Sequence, residues 1–407
     1  MTNPIAFVNA SAVLPDQVLR DAVVICQEGK IVSVSERGSI PADAAIVDLA
    51  GRYLTPGFID IHVHGGSGAD FMDGDPRSIR QAAAAHLTRG TTTLFPTTTT
   101  GAPAEIQKML SACQQVADVS TAKPAELEVP HIPGIHLYGP YFADDKVGCH
   151  DKGGRRDPAV EEFQHYFETG FVRVATCAAE LPGAKAFYQM AAAHDCLVTC
   201  GHSNSSWSEM QSAFDAGMRH VDHFWCAMSS VPSLRTRFQV PMQASMTEFV
   251  LMNKAMSTEV IADGWHLSPE LLEFAYQMKG PERLCLVTDA NRALGMPAGE
   301  YIFGNQDSGS PIYSDGNVGW SSDRTSLASS IVGMDHMVRH FKNSTTAPVE
   351  HVIRMATLTP AERVGIDHEV GSVQAGKRAD LLVLDTEFNI QQVYKQGRLV
   401  IDSDSTE

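Results

Sequence analysis

The sequence lacks paired cysteines, long apolar runs and an excess of basic residues. Its eight cysteines are scattered without Cys-x-x-Cys spacing, which is typical of reduced thiols rather than a disulfide framework. No run of 18 apolar residues occurs, and residues 1–4 lack the basic segment of a signal peptide. The formal net charge of −17 disfavours nucleic acid and anionic membranes as partners. We therefore expect a cytoplasmic protein with no nucleic-acid or membrane partner.

Short strands separated by turns are predicted at both ends of the chain. Four such runs lie between residues 5 and 49, and more of the same character lie between residues 379 and 401. Neither end has enough strands for a stable sheet by itself. We therefore predict that residues 1–55 and 369–407 pair into one small β-sandwich domain.

Between these ends, strands alternate with helical segments, a pattern typical of βα units around a parallel sheet. Strands are predicted at 58–64, 91–97, 133–138, 171–177, 196–202, 219–223, 257–262 and 283–289. Helices are predicted at 78–89, 104–116, 159–167, 184–194, 206–216, 269–279, 326–340 and 349–356. Eight strands close a (β/α)8 TIM barrel, which we assign to residues 56–368. Residues 299–320 are expected to form an excursion over its mouth.

Histidines and one aspartate fall at the carboxyl ends of predicted strands. His62 and His64 project from the same face of the first strand, because side chains alternate along a strand. His202, His223 and Asp289 end the fifth, sixth and eighth strands. Each alone has an ordinary structural explanation, such as a hydrogen-bonded core histidine or an N-cap aspartate. Together, at the end of a barrel that builds active sites, they predict a metal site for a cation such as zinc.

Several motifs in this chain resemble the amidohydrolase superfamily and, within it, the N-acetylglucosamine-6-phosphate deacetylase family. The resemblance covers nearly the whole chain. The matching segments are residues 56–65, 136–140, 201–204, 223 with 227–228, 261–266, 286–290, 354–357 with 360–361, and 376–380.

The resemblance implies a metal-dependent hydrolase that removes the acetyl group from an N-acetyl amino sugar. It implies a homodimer and one or two divalent cations per chain, with zinc expected. His202 and His223 correspond to metal ligands, and His62 and His64 to a pair that binds a second metal in some members. Asp289 corresponds to the general base and acid.

The substrate side of the predicted site also follows from the resemblance. His266 would contact the sugar or polarise the scissile carbonyl, and His150 matches a substrate-binding position. The role of Glu180, at the end of the fourth strand, stays open between a metal ligand, an arginine partner and a surface group.

Tyr138 departs from the family, whose members carry a glutamate ligand at this position. A phenol with a pKa near about 10 is a poor ligand at neutral pH. Our hypothesis is that one metal is held by His62, His64 and Asp289, with help from His202 or His223. Tyr138 would then bind substrate or water.

A second departure concerns the phosphate pocket. Cys226, which precedes Ala227, replaces a family asparagine, and the phosphate-binding arginine is approximated by Arg235 or Arg237. A thiol is a weak hydrogen-bond donor. Two alternatives therefore stay open: an amidohydrolase acting on an unphosphorylated acyl amino sugar or a cyclic amide, and a catalytically silent sugar-binding barrel.

Overall fold

The fold is taken from a computed structural model that describes residues 3–119 and 128–403. The outermost residues of the two predicted terminal segments, 1–2 and 404–407, lie outside the described residues, as do residues 120–127. Within the described ranges, no helix is both long and apolar enough to cross a bilayer.

Five strands open the chain. They are β1 (Ile5–Val13), β2 (Val18–Gln27), β3 (Lys30–Glu36), β4 (Ala45–Asp48) and β5 (Tyr53–Pro56). β1 and β2 carry adjacent buried side chains as well as alternating ones, so both of their faces contact other residues.

The central part of the chain contributes mostly buried parallel strands. They are β6 (Phe58–Val63), the short β7 (Gly65–Gly66) and β8 (Ala69–Asp70), β9 (Thr91–Pro96), β10 (Ile135–Leu137), β11 (Val172–Thr176), β12 (Leu197–Cys200), β13 (His220–Val221), β14 (Ser257–Val260) and β15 (Leu284–Leu286). Their β-branched and apolar side chains are typical of parallel strands covered on both faces.

Six further strands follow the central ones. They are β16 (Gly299–Phe303), β17 (Ser310–Ser314), β18 (Gly319–Ser321), β19 (Leu381–Leu384), β20 (Ile390–Lys395) and β21 (Arg398–Asp402). β16 to β18 form a separate antiparallel sheet, which is the predicted excursion. β19 to β21 join β1 to β5 in one eight-stranded sheet, where β19 pairs antiparallel with β5. The two ends of the chain therefore share a sheet.

Helices alternate with the central strands. They are α1 (Pro76–Leu87), α2 (Pro103–Val119), α3 (Val160–Glu168), α4 (Ala184–Ala193), α5 (Trp207–Asp215), α6 (Val231–Phe238), α7 (Met246–Met252), α8 (Pro269–Lys279), α9 (Met334–Ser344), α10 (Val349–Met355) and α11 (Leu358–Arg363).

The central strands run parallel in chain order. β6 pairs with β9, and β10 to β15 form a six-stranded sheet. Parallel bridges from Thr93 and Thr97 reach the β10 region. On the other side, the Asp289 amide donates to the His62 carbonyl at 2.8 Å, and the His64 amide donates to the Ala290 carbonyl at 2.9 Å. The residues after β15 therefore contact the end of β6.

Each predicted central strand overlaps an observed one, but one predicted helix is partly wrong. The helix expected over residues 326–340 begins only at Met334. Before it, the Ala328 amide donates to the Gly319 carbonyl at 2.7 Å, and Leu327 bridges Trp320. These antiparallel contacts satisfy the backbone groups that a helix would otherwise use. Helices α6, α7 and α11 were not predicted.

Candidate active site

Two strand ends bring three predicted ligands together. His62 lies at the end of β6, His64 directly follows that strand, and Asp289 lies three residues after β15. Asp289 Oδ1 is 3.1 Å from His64 Nε2 and 3.6 Å from His62 Nε2. One possible ligand atom from each residue lies within 4.8 Å of the others. All three side chains are buried, so they form a compact cluster with two nitrogens and one carboxylate oxygen available.

The chemistry of this cluster fits a divalent cation. Among the described residues, His62 Nε2 and His64 Nδ1 are buried without a hydrogen-bond partner, and His64 Nε2 has only the Asp289 carboxylate, 3.1 Å away. Buried polar atoms normally have partners, because leaving them unpaired is costly. Burial opposes a positive charge on His62, but Glu259 and Asp289 raise its pKa to about 9. The surroundings therefore favour a positive charge at this point, and imidazole and carboxylate suit zinc.

The general base predicted from the sequence is held as an anion. Burial alone would raise the pKa of the Asp289 carboxyl, but the nearby His62 and His64 imidazoles hold it well below its ordinary value. Asp289 and His202 both adopt a left-handed backbone conformation, with φ of 46°. Such a conformation costs free energy in a residue other than glycine and is concentrated at functional sites. Both residues turn the chain sharply at a strand end.

Tyr138 and His223 form a close pair beside the cluster. The Tyr138 hydroxyl is 2.5 Å from His223 Nε2. Burial, with the nearby carboxylates of Asp222 and Asp289, raises the pKa of Tyr138 well above its ordinary value. Burial also lowers the pKa of His223 to about 4. The pair is therefore a neutral phenol and a neutral imidazole at neutral pH.

Two other predicted residues are fixed through Nδ1. His202 Nδ1 is 2.5 Å from the Lys146 carbonyl oxygen, which accepts a hydrogen bond from it and leaves Nε2 on the other side of the ring. His266 Nδ1 is 2.7 Å from Asp263 Oδ2, while Asp263 Oδ1 accepts from the His266 amide at 2.9 Å. Asp263 therefore fixes both the backbone and the ring of His266.

Eight of the predicted residues line one cavity of about 390 Å³. Its wall also includes Lys146, Cys149 and Leu327. The predicted residues in the wall are Tyr138, His150, His202, His223, Cys226, Ala227, His266 and Asp289. The volume suits a small molecule of sugar size.

The two arginines considered for phosphate binding are placed differently. Arg235 is exposed on α6 and is not among the described residues that line the cavity. Arg237 donates to both carboxylate oxygens of Glu209 at 2.7 Å and to the Asn204 carbonyl at 2.9 Å. The structure therefore does not bring Arg235 into the cavity, and it engages Arg237 elsewhere.

Glu180 is half-buried and binds the segment that follows His202. Its carboxylate accepts hydrogen bonds from the Ser203 and Ser205 hydroxyls, at 2.6 and 2.7 Å, and from the Asn204 amide at 2.5 Å. Glu180 therefore holds the turn that follows His202.

Three buried polar groups close to the site were not predicted to belong to it. Glu259, on β14, lies 2.5 Å from His62 Nδ1. Asp222 accepts hydrogen bonds from Thr176 and Thr199. His136 contacts the same Thr176 hydroxyl at 2.8 Å. The available signal was an ionisable residue within a buried strand, as for Glu259 and His136, or directly after one, as for Asp222, because such a residue requires a partner.

Comparisons with known proteins give matches over most of the chain. The sequence description of the Amidohydrolase family matches residues 53–400. An N-acetylglucosamine-6-phosphate deacetylase of Vibrio furnissii is 32% identical over 391 residues, covering 94% of this chain and 92% of the relative. An N-acetylgalactosamine-6-phosphate deacetylase of Escherichia coli O157:H7 is 31% identical over 395 residues, with 95% of each chain covered.

A solved structure is similar over the same length. It is a mutant N-acetyl-D-glucosamine-6-phosphate deacetylase of Mycobacterium smegmatis in complex with N-acetyl-D-glucosamine-6-phosphate. It is 27% identical, with a TM-score of 0.87 over 98% of this chain and 100% of that chain. The family match and these similarities extend across both the terminal sheet and the strands that carry the candidate site. The chain therefore belongs to the amidohydrolase family, where it is similar to the N-acetylglucosamine-6-phosphate deacetylases.

Proposed function

We propose that this protein is a metal-dependent deacetylase that hydrolyses the acetamide bond of N-acetylglucosamine 6-phosphate. The convergence of His62, His64 and Asp289 beside a cavity of sugar size carries the proposal. The deacetylases that match nearly the whole chain support the substrate class.

We propose one zinc ion per chain, held by His62, His64 and Asp289. Bound by these residues, a divalent cation would polarise the amide carbonyl and make water a stronger nucleophile. His223 Nε2 is engaged by Tyr138, so we assign His223 to substrate contacts, whereas the bond from His202 Nδ1 to the Lys146 carbonyl leaves Nε2 available to assist the three ligands or to contact substrate. Tyr138 offers no carboxylate for a second cation.

Asp289 moves the proton in this mechanism. As the oxygen of water bonds to the amide carbon, the Asp289 carboxylate accepts the proton that water loses. When the carbon–nitrogen bond breaks, Asp289 returns that proton to the nitrogen, because an amine leaves poorly unless protonated. Acetic acid and the free amine form first, and the acid then gives its hydroxyl proton to solvent or to the amine and becomes acetate. The proton that Asp289 carries is taken from water and ends on the amine.

The hydrogen bond between Tyr138 and His223 leaves the phenol proton free for substrate. His223 Nδ1 is buried and has no hydrogen-bond partner among the described residues. A proton on Nδ1 would leave a buried N–H unbonded, a rarer defect in proteins than an unused acceptor. We therefore place the proton on Nε2, which donates to the Tyr138 oxygen. The Tyr138 hydroxyl can then donate to the carbonyl oxygen as negative charge develops there.

His266 and His150 complete the substrate contacts that we propose. His266 keeps Nε2 available because its Nδ1 is bonded to Asp263. His150 lies in the cavity wall with Cys226 and Ala227. The two imidazoles can accept hydrogen bonds from sugar hydroxyls or donate hydrogen bonds to them.

An unphosphorylated substrate is the second candidate, because the predicted phosphate contacts are incomplete. Arg235 is outside the cavity wall and Arg237 is paired with Glu209. Lys146 lies in that wall and supplies a positive charge. The two candidates therefore differ in whether Lys146 and its neighbours suffice to bind phosphate.

The test is acetate release by zinc-loaded protein. N-acetylglucosamine 6-phosphate, N-acetylgalactosamine 6-phosphate and N-acetylglucosamine are compared, with Asp289→Asn as the inactive control. The proposal requires metal-dependent turnover and a preference for a phosphorylated sugar. Turnover of the unphosphorylated sugar alone supports the second candidate, and no turnover with zinc bound rejects both.

We propose that the central strands close into a (β/α)8 barrel and that the terminal strands form a β-sandwich, with boundaries near residues 56 and 368. Backbone bonds from Asp289 to His62 and from His64 to Ala290 support closure between the last and first central strands. A closed barrel explains why strand ends distant in sequence face one cavity.

We propose a homodimer that uses an apolar face of α8. Leu271, Phe274 and Met278 follow helical spacing and are all at least 38% exposed. The Trp225 ring stacks on Phe274 and extends the face. Light scattering should give a dimer mass for the native protein and a monomer mass for Phe274→Asp.

The free cysteines support a reducing, cytoplasmic location.

A further inference from the structure

Glu259 is a buried carboxylate with no part in the chemistry described above. It lies in β14, between β13 and β15, and its side chain is 1% exposed. A carboxylate is costly to bury unless its oxygens are paired. The partners of Glu259 therefore indicate what it is for.

The Glu259 carboxylate joins three histidines. Oε1 is 2.5 Å from His62 Nδ1 and accepts from the His223 amide at 3.1 Å. Oε2 is 3.4 Å from His220 Nε2. The shortest of these contacts reaches from β14 to β6, which lie on different sheets of the central region. That contact goes to a proposed metal ligand.

The contact determines which nitrogen of His62 can bind a cation. An ionised carboxylate only accepts hydrogen bonds, so His62 Nδ1 must carry the proton. The lone pair is then on Nε2, the atom that faces Asp289 at 3.6 Å. A carboxylate that accepts from the far nitrogen of a metal-bound imidazole fixes its tautomer and orientation and makes it a stronger ligand.

We propose that Glu259 is a positioning residue for the metal centre, which holds His62 with Nδ1 protonated and Nε2 turned toward the cluster. This inference rests on the metal-dependent function proposed above. Glu259 also supports the start of the turn at His223, so its removal affects stability as well as metal binding. The test must separate these two effects.

The experiment measures zinc affinity on metal-free protein by competition with a chromophoric chelator. Glu259→Gln keeps the size of the side chain but removes its charge, and Glu259→Asp keeps the charge but shortens the reach to His62. Asp380→Asn is the matched control: Asp380 is also buried and pairs with Arg378 at 3.0 Å, in the terminal part of the chain. Thermal unfolding is recorded for every metal-free variant.

Both Glu259 variants should bind zinc roughly 10–100-fold more weakly than the native protein. Asp380→Asn should lose thermal stability with unchanged zinc affinity. Native zinc affinity in Glu259→Gln would overturn the proposal. Acetate release is measured on the same samples, so a native protein that binds zinc through this arrangement without releasing acetate would reject only the proposed function.

If neither Glu259 variant folds, a measurement on the native protein tests the proposal instead. Nitrogen-15 NMR of histidine-labelled, zinc-loaded protein distinguishes the two ring nitrogens, and His62→Asn assigns the His62 signals. The proposal requires a proton on Nδ1 and zinc on Nε2. The reverse arrangement would refute it.

Discussion

Replacing Tyr138 by phenylalanine tests the proposed donor to the developing oxyanion. The change removes one oxygen atom from a buried ring, which is 1% exposed. It breaks the 2.5 Å hydrogen bond to His223 Nε2. Because His223 Nδ1 already lacks a partner among the described residues, the variant leaves both ring nitrogens of a buried imidazole unpaired.

The geometry predicts the size of two effects, a loss of stability and a loss of kcat. Leaving a buried polar group unsatisfied costs about 1–3 kcal/mol of the free energy of unfolding. Removing one donor to a developing oxyanion lowers kcat by about 10²–10³-fold. The first cost concerns the folded protein alone, and the second requires that the hydroxyl contact the reacting carbonyl.

Tyr188→Phe provides the matched control. Tyr188 is also fully buried, and its hydroxyl donates to the Cys177 carbonyl at 2.5 Å, away from the cavity wall. Denaturant unfolding and acetate release are measured for both variants. Similar losses of stability with a loss of kcat only in Tyr138→Phe would agree with the mechanism. If the kcat of Tyr138→Phe stays within about threefold of that of Tyr188→Phe, far below the expected loss, the donor role is refuted.

Three further predictions address the base, pH and a helix cap. Asp289→Asn should fold but lose most acetate release, because its amide cannot accept the proton from water; near-native turnover would remove Asp289 from its role. Burial lowers the pKa of His86 to about 4, so the unfolded chain binds a proton first as pH falls below about 6.5. Native stability should therefore drop by an extra amount on the order of 2 kcal/mol between pH 7.5 and 5, absent in His86→Gln. Asp75 caps α1 by accepting from two backbone amides, so Asp75→Ala should cost about 1 kcal/mol in urea unfolding, with unchanged kcat.

Local patterns were sufficient to predict where the central strands lie. β6 and β14 are short buried runs between turn residues. Their residue composition and the flanking turn residues are therefore enough to identify them as strands. The helix over residues 326–340 was misplaced because Leu327 pairs with Trp320 in an antiparallel bridge. That pairing is a tertiary contact, and helix propensity contains no information about it.

The proximity of His62, His64 and Asp289 was predictable because each of these candidate ligands stands at or just beyond a strand end, where parallel strands gather their side chains. Glu259 was missed for the opposite reason. It lies within β14, and only its short distance to His62 Nδ1 points to the positioning role that we propose for it. The engagement of Arg237 by Glu209 was equally invisible, because α6 itself was not predicted.

The shared terminal sheet has a consequence for synthesis of the protein. Pro56 in β5 pairs with Leu381 in β19, so β5 lacks this neighbour during synthesis until residue 381 has been added. At about 5–20 residues per second, the roughly 325 intervening residues take about 16–65 s to translate. During that interval β5 presents an unpaired edge on the nascent chain, and such edges template aggregation. A chain released before Leu381 is added would contain all of the central strands but would keep this edge of β5 open.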